Sequence, residues 1–195
     1  MRIVHVTPYF VPEVSAGVEI HVYELCQQLM KMGHCPVVYT CSKVPSKVDG
    51  IEVHSFPSFR PLPPIPNPWP LPPFFSKLSK EHDVIHAHGQ EYATSFVAAL
   101  ASKKGRIPFI LTAHNVGRSF QDKWYVRILR PILYQSLFRY VIKHADVAVA
   151  PTEEAFDILS RFRQKNIVTV PHGISCQPPS EDQDDNYVLY LGRLL

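Results

Sequence analysis

The sequence predicts an α/β fold, a Rossmann-like parallel sheet with helices on both faces. Apolar runs of four to six residues alternate with longer stretches of helical period, the rhythm of repeated βαβ units. The runs suit strands buried on both faces of a parallel sheet. At 195 residues, 46% hydrophobic and 19% charged, the chain has ordinary globular composition, which excludes disorder and fibre.

The elements follow in order. Ile3 to Val6 is the first strand. Val18 to Met32 is a helix, because Val18, Val22, Leu25, Leu29 and Met32 recur at spacings of three and four, and Gly33 supplies its stop. Pro36 to Cys41 and Ile51 to Phe56 are the next strands. Nine prolines between Pro57 and Pro73 lack an amide donor, so this stretch is expected to stay out of any ladder in a polyproline-like excursion. Prolines also break the longest uncharged stretch, Pro61 to Ser76, so no segment resembles the roughly 20 apolar residues of a membrane-spanning helix. Strand Val84 to His86, helix Tyr92 to Lys103 and strand Phe109 to Thr112 come next, then a helix over Ser119 to His144 kinked or broken at Pro131. Strand Val147 to Ala150, helix Glu153 to Phe162 capped by Thr152, and strand Ile167 to Val170 complete the pattern.

Residues 1–178 therefore read as one domain and the acidic stretch 179–186 as a solvated linker. Residues 187–195 read as the first strand of a second, truncated domain, since a strand followed by Gly192-Arg193 is how a new βα unit opens.

Charge and cysteine content narrow the partners. A net charge of +3 is too small to imply nucleic-acid binding. Cys26, Cys35, Cys41 and Cys176 show no CxxC or finger spacing, which favours reduced thiols. No signal peptide is expected, because the strand pattern after Arg2 runs only to Pro8, and the expected location is cytoplasmic. From Arg118 to Lys143 six cations face one anion, Asp122, interleaved with Trp124, Tyr125, Ile128 and Leu129. Such a helix, together with the proline-rich loop carrying Trp69, Phe74 and Phe75, suits a non-catalytic module docking on an anionic membrane or glycolipid surface, or else packs on the sheet and leaves a solvated basic face.

Four motifs carry chemistry. The turn Thr7 to Glu19 delivers Ala16 and Gly17 to the start of the first helix, where free amides and the helix dipole favour an anion such as phosphate. In Asp83 to Gly89, strand alternation directs His86 and His88 to one side at the carboxyl edge, where open α/β sheets bind ligands. His86 is expected in the core and His88 just past the strand end. The third and fourth motifs, Leu111 to Asn115 and Val170 to Ile174, place His114 and His172 at the same edge. Three such histidines suit a polar, phosphorylated substrate. A metal site is disfavoured, since Gly89-Gln90-Glu91 follows the HxH pair without further clustered ligands. His5, His21, His34, His54, His82 and His144 are assigned surface or packing roles.

Together these motifs resemble the N-terminal domain of GT-B glycosyltransferases of retaining family four, the group that includes phosphatidylinositol glycosyltransferases and many polysaccharide and lipid-glycan enzymes. The resemblance runs from the Pro12 to Glu19 loop with His21-Val22 and Gly33-His34, through Asp83 to His88 and Thr112 to His114, to Pro171-His172-Gly173-Ile174. It implies one half of a GT-B fold, moving a hexosyl or N-acetylhexosaminyl group from a nucleotide diphosphate sugar to a lipid or glycan hydroxyl with retention. No cofactor or essential metal is implied. By the resemblance, His88 meets the transferred sugar and reaction centre, Ala16 and Gly17 approach the diphosphate, and Arg193 neutralises its departing charge. Tyr9 corresponds to an acceptor contact in some lipid-acceptor members. Ala16-Gly17 stands where two glycines are common, and His172-Gly173-Ile174-Ser175 where Asn-Gly and a later Asp are common. The expected donor-domain residues lie beyond Leu195, so this chain alone is expected to be inactive.

Overall fold

The computed structural model describes residues 1–61, 68–80, 82–114, 128–129, 131–132, 134–162 and 164–173. β1 (Arg2–Val6) leads into α1 (Gly17–Lys31), then β2 (Cys35–Thr40), β3 (Lys47–Val48), β4 (Ile51–Ser55), β5 (Ser58–Phe59) and β6 (Trp69–Pro70). α2 (Pro72–Leu78), β7 (Val84–His88), α3 (Ala93–Gly105) and β8 (Phe109–Thr112) follow. A π-helical turn (Tyr134–Phe138) continues into α4 (Arg139–His144), then β9 (Val147–Ala150), α5 (Glu153–Arg161) and β10 (Ile167–Thr169). The expected linker and second-domain strand, with Arg193, lie outside the described residues, as do Cys176 and most of the basic helix.

Eight strands form one sheet in the order β10-β9-β8-β7-β1-β2-β4-β3, parallel throughout except for the β3–β4 pair. The chain builds outward from β1 through β2 to β4, then crosses back to place β7 on the other flank of β1. The switch in winding direction therefore falls between β1 and β7, and the carboxyl ends of these strands are where such sheets open a ligand crevice.

Alternation along the strands gives the sheet two covered faces. On one, Val4, Val6, Ile85, Ala87, Phe109 and Leu111 pack with Phe74 and Leu78 of α2, Val97, Ala98 and Ala101 of α3, Val141 and Ile142 of α4, and Leu159 of α5. On the other, Val38, Ile51 and Val53 pack with Phe10 and with Val22 and Cys26 of α1. The deepest line of α1 is Glu19, Val22 and Cys26, and Met32 is 70% exposed beyond the helix rather than on its buried face. Glu19 tolerates burial in the first turn because the positive end of the helix dipole lies there. Gly33 ends the helix at φ +80°, a conformation that side-chain-bearing residues rarely adopt.

The proline-rich stretch departs from expectation at both ends. Ser58–Phe59 pairs antiparallel with Trp69–Pro70, Ser58 opposite Pro70, so one proline does sit in a ladder. A two-residue edge pairing tolerates it, and the neighbouring Leu71 amide donates to the Pro57 carbonyl at 3.1 Å. Pro72 and Pro73 then open α2, where a missing amide costs nothing, and the helix buries Phe74 and Leu78, so Phe74 packs in the core and is not offered to a membrane surface as expected.

Candidate functional site

The site begins with register. In the β1–β7 pairing His5 lies opposite His86, and in the β7–β8 pairing His88 lies opposite Thr112. Period-two alternation puts the rings of His5, His86 and His88 on the face that α1 covers, beside Val38, which is opposite His5 on β2. β7 runs to His88, two residues further than the apolar pattern suggested, because the ladder to β8 continues through Thr112. This reverses the expected burial. His88 is 0% exposed and ends the strand, while His86 is only partly buried and bonds Thr112 Oγ1 at 2.8 Å.

A line of imidazoles runs outward from this point. His5 Nδ1 lies 3.1 Å from His88 Nε2, His88 Nδ1 3.1 Å from His114 Nε2, and His114 Nδ1 3.2 Å from His172 Nε2. Every link joins Nδ1 of the inner ring to Nε2 of the outer one. The neutral line therefore has two self-consistent forms, with each Nδ1–H donating outward or each Nε2–H donating inward. His21, one turn into α1, caps the line with ring centroids 6.0 Å from His88, 5.2 Å from His114 and 4.1 Å from His172. The line starts in the core and ends at the exposed His172.

Burial sets the charge state. Desolvation, with neighbouring imidazoles adding to it, lowers His5 and His114 to about 3 and His21 to about 4. The same causes hold His86 and His88 well below the ordinary histidine value, and desolvation lowers His172. At neutral pH the cluster is a set of uncharged donors and acceptors, suited to hydroxyls and to phosphate oxygens.

His88, His114 and His172 thus meet at one edge as the sequence suggests. His5 and His21, assigned surface or packing roles, also join the cluster, His5 as a buried residue of β1 and His21 from α1. His5 was concealed within an apolar strand and its tie to His86 exists only through β1–β7 pairing. His21 had a legible signal, one helical turn from Gly17. The other histidines do pack or lie outside: His54 bonds Glu52 and Lys77, His82 stands edge-on to Tyr39, and His144 stacks on Tyr140.

Ala16 and Gly17 are exposed at the start of α1, and a Cβ built on Gly17 meets no atom within 4 Å. Gly173 beside His172 is equally open. The preceding loop is braced from below: the Phe10 amide donates to Ser42 Oγ at 3.0 Å, and the Cys41 amide and Thr40 hydroxyl donate to the Pro8 carbonyl at 3.1 and 3.2 Å. Tyr9 is partly exposed on this loop, with the Arg60 guanidinium 5.9 Å from its ring centroid. Gly89, after β7, has φ +85°, and its carbonyl accepts from Ser95 Oγ at 2.6 Å, fastening the start of α3 to the strand end. Cys26, Cys35 and Cys41 are free.

A family model described as Glycosyltransferase Family 4 matches residues 15–177, which contain α1, both ends of β7 and β8, and all but His5 of the imidazole line. The chain belongs to this family. Among solved structures, this family 4 chain is similar to Anabaena Alr3699/HepE in complex with UDP, at 17% identity and a TM-score of 0.62, over 89% of this chain and 44% of that one. It is also similar to the catalytic domain of starch synthase IV from Arabidopsis thaliana bound to ADP and acarbose, at 17% identity and 0.54, over 88% and 51%. For MurG of Acinetobacter baumannii the values are 13% identity and 0.54, over 89% and 46%. These likenesses establish the fold, a Rossmann-like domain of the GT-B architecture, and the chain spans about half the length of the structures it matches. No curated protein matches the sequence.

Proposed function

We propose that this family 4 chain is the acceptor side of a retaining glycosyltransferase, which passes a hexosyl or N-acetylhexosaminyl group from a nucleotide diphosphate sugar to a hydroxyl of a lipid or glycan. The observation that carries the reading is the shared edge: the open start of α1 at Ala16 and Gly17 stands over the same strand ends that align His88, His114 and His172. Bare helix amides suit a diphosphate, and neutral imidazoles suit sugar hydroxyls. HepE was solved with UDP and with UDP-glucose, which supports a nucleotide sugar as donor here.

In this reading His88 acts at the reaction centre. Its Nδ1 faces His114 in the chain alone, so the half-buried His114 and exposed His172 turn aside to admit the sugar, while His5 holds the inner edge of the ring. Ala16 and Gly17 approach the diphosphate, Arg193 neutralises it, Tyr9 meets the acceptor, and the transfer needs no essential metal.

The decisive experiment supplies the chain, joined to a GT-B donor-binding domain, with nucleotide sugars and hydroxyl acceptors, and reads the product by NMR. Transfer with the donor's anomeric configuration kept is expected. Because a UDP-GlcNAc 2-epimerase from Methanocaldococcus jannaschii shares the fold at a TM-score of 0.52, epimerisation of the donor without transfer is the outcome that overturns the reading.

A second reading rests on its own observation. Ile128, Leu129 and Ile132 are 60%, 43% and 61% exposed, and the cations Arg139 and Lys143 are exposed further along the same stretch, an arrangement that suits contact with an anionic membrane surface in the cytoplasm. Among the described residues no helix is long and apolar enough to cross a membrane. Co-sedimentation with anionic vesicles at low salt is expected, and no binding removes the membrane role.

A further inference from the structure

We infer that His21, His88 and His114 form a binding site for a divalent transition ion of the zinc class. Each ring offers one nitrogen, and the three nitrogens lie within 4.8 Å of one another. They come from three separate elements, α1, the end of β7 and the residues after β8, so the fold gathers them rather than local chain geometry. The donors are all imidazoles, a set that suits zinc, copper or nickel and not the oxygen-seeking magnesium or calcium. Three protein ligands with one open position is the arrangement of an accessible zinc site.

The geometry also selects between two overlapping sets. His5, His86 and His88 form another triad of that size, but there His5 Nδ1 already faces His88 Nε2 and His86 Nε2 already bonds Thr112. The outer set keeps those bonds and gives up only the contact of His88 Nδ1 with His114 Nε2 at 3.1 Å, where the ion takes the place of the shared proton. With Nε2–H of His88 donating to His5 Nδ1, the Nδ1 lone pair of His88 points outward to the ion, the orientation that a supporting partner imposes on a metal-bound histidine. His21 and His114 are only partly buried, and exposed His172, 3.2 Å from His114, marks the way in. The site shares His88 and His114 with the proposed transfer reaction, so an ion held there keeps the sugar out, but ion binding does not depend on that reaction.

The test is equilibrium dialysis of the purified protein against Zn²⁺, with Co²⁺ as a spectroscopic probe. One equivalent of Zn²⁺ and the intense visible bands of four-coordinate Co²⁺ are expected. His21→Gln and His114→Gln are each expected to weaken Zn²⁺ binding at least tenfold, and His34→Gln, at the far end of α1, to leave it unchanged. Circular dichroism checks that the variants fold, and both sites are open enough to accept glutamine. Failure of the wild-type protein to bind Zn²⁺, or binding unaltered in both His21→Gln and His114→Gln, overturns the proposal.

Discussion

His5 Nδ1 and His88 Nε2 meet at 3.1 Å across the β1–β7 pairing, each ring 0% exposed. The contact ties the end of β7 to β1, the strand that begins the fold, across the pair of strands between which the winding direction turns.

His5→Ala removes that partner and leaves a cavity beneath α1. The combined loss, an empty volume plus an unpartnered His88 nitrogen, is expected to destabilise the protein by roughly 2–4 kcal/mol. Urea unfolding measures it, and an unchanged midpoint contradicts the packing described.

Acid is expected to destabilise the fold through the same cluster. His5 and His114 are lowered to about 3 and His21 to about 4 in the folded chain, whereas each returns to its ordinary 6.5 on unfolding. Below pH 6.5 the unfolded state therefore holds more protons than the native one, and stability falls as pH drops. Above 6.5 the contribution is fully present; it is lost down to about pH 4 for His21 and down to about pH 3 for His5 and His114. Thermal midpoints recorded from pH 7.5 to 4.5 are expected to fall, with uptake of more than one proton on unfolding, and a flat profile sinks the neutral-cluster account.

The two glycines that flank the crevice are expected to respond oppositely to alanine. A methyl on Gly89 adopts φ +85° and comes within 2.6 Å of the Tyr92 ring, which costs on the order of 1–3 kcal/mol. A methyl on Gly17 meets no protein atom and sits at a helix start, so Gly17→Ala leaves stability unchanged or raises it by up to about 1 kcal/mol. Paired denaturation curves test this, and equal losses at the two positions would show that the space above Gly17 is not open.

Thr152→Ala removes the hydroxyl that accepts from the Ala155 amide at 3.2 Å, and about 1 kcal/mol of stability is expected to go with it. Thr152→Ser is expected to restore most of this in the same unfolding assay.

The strand and helix order was legible because each βα unit announces itself by a short apolar run and then a 3.6-residue period. His88, His114 and His172 were legible for a related reason, since each follows such a run and so lands at one edge. What the sequence hides is pairing. His5 sits in an apolar strand with nothing nearby to mark it, and its tie to His86 and His88 arises from a crossover that brings residues 81 and 83 positions apart into register and contact. The extra length of β7 was hidden likewise, because the β8 ladder rather than strand composition carries it to His88. In the proline-rich stretch, counting missing amides overlooked that proline suits both an edge position and the first turn of α2.

In the proposed function, sugar transfer occurs at the histidine edge. The deciding measurement is the rate of transfer by the chain joined to a GT-B donor-binding domain, with His88→Ala compared with the unsubstituted protein at matched fold by circular dichroism. The account predicts a fall in kcat of at least about a hundredfold, the scale of losing a group that acts in the transition state. An unchanged kcat in a folded His88→Ala enzyme would contradict it.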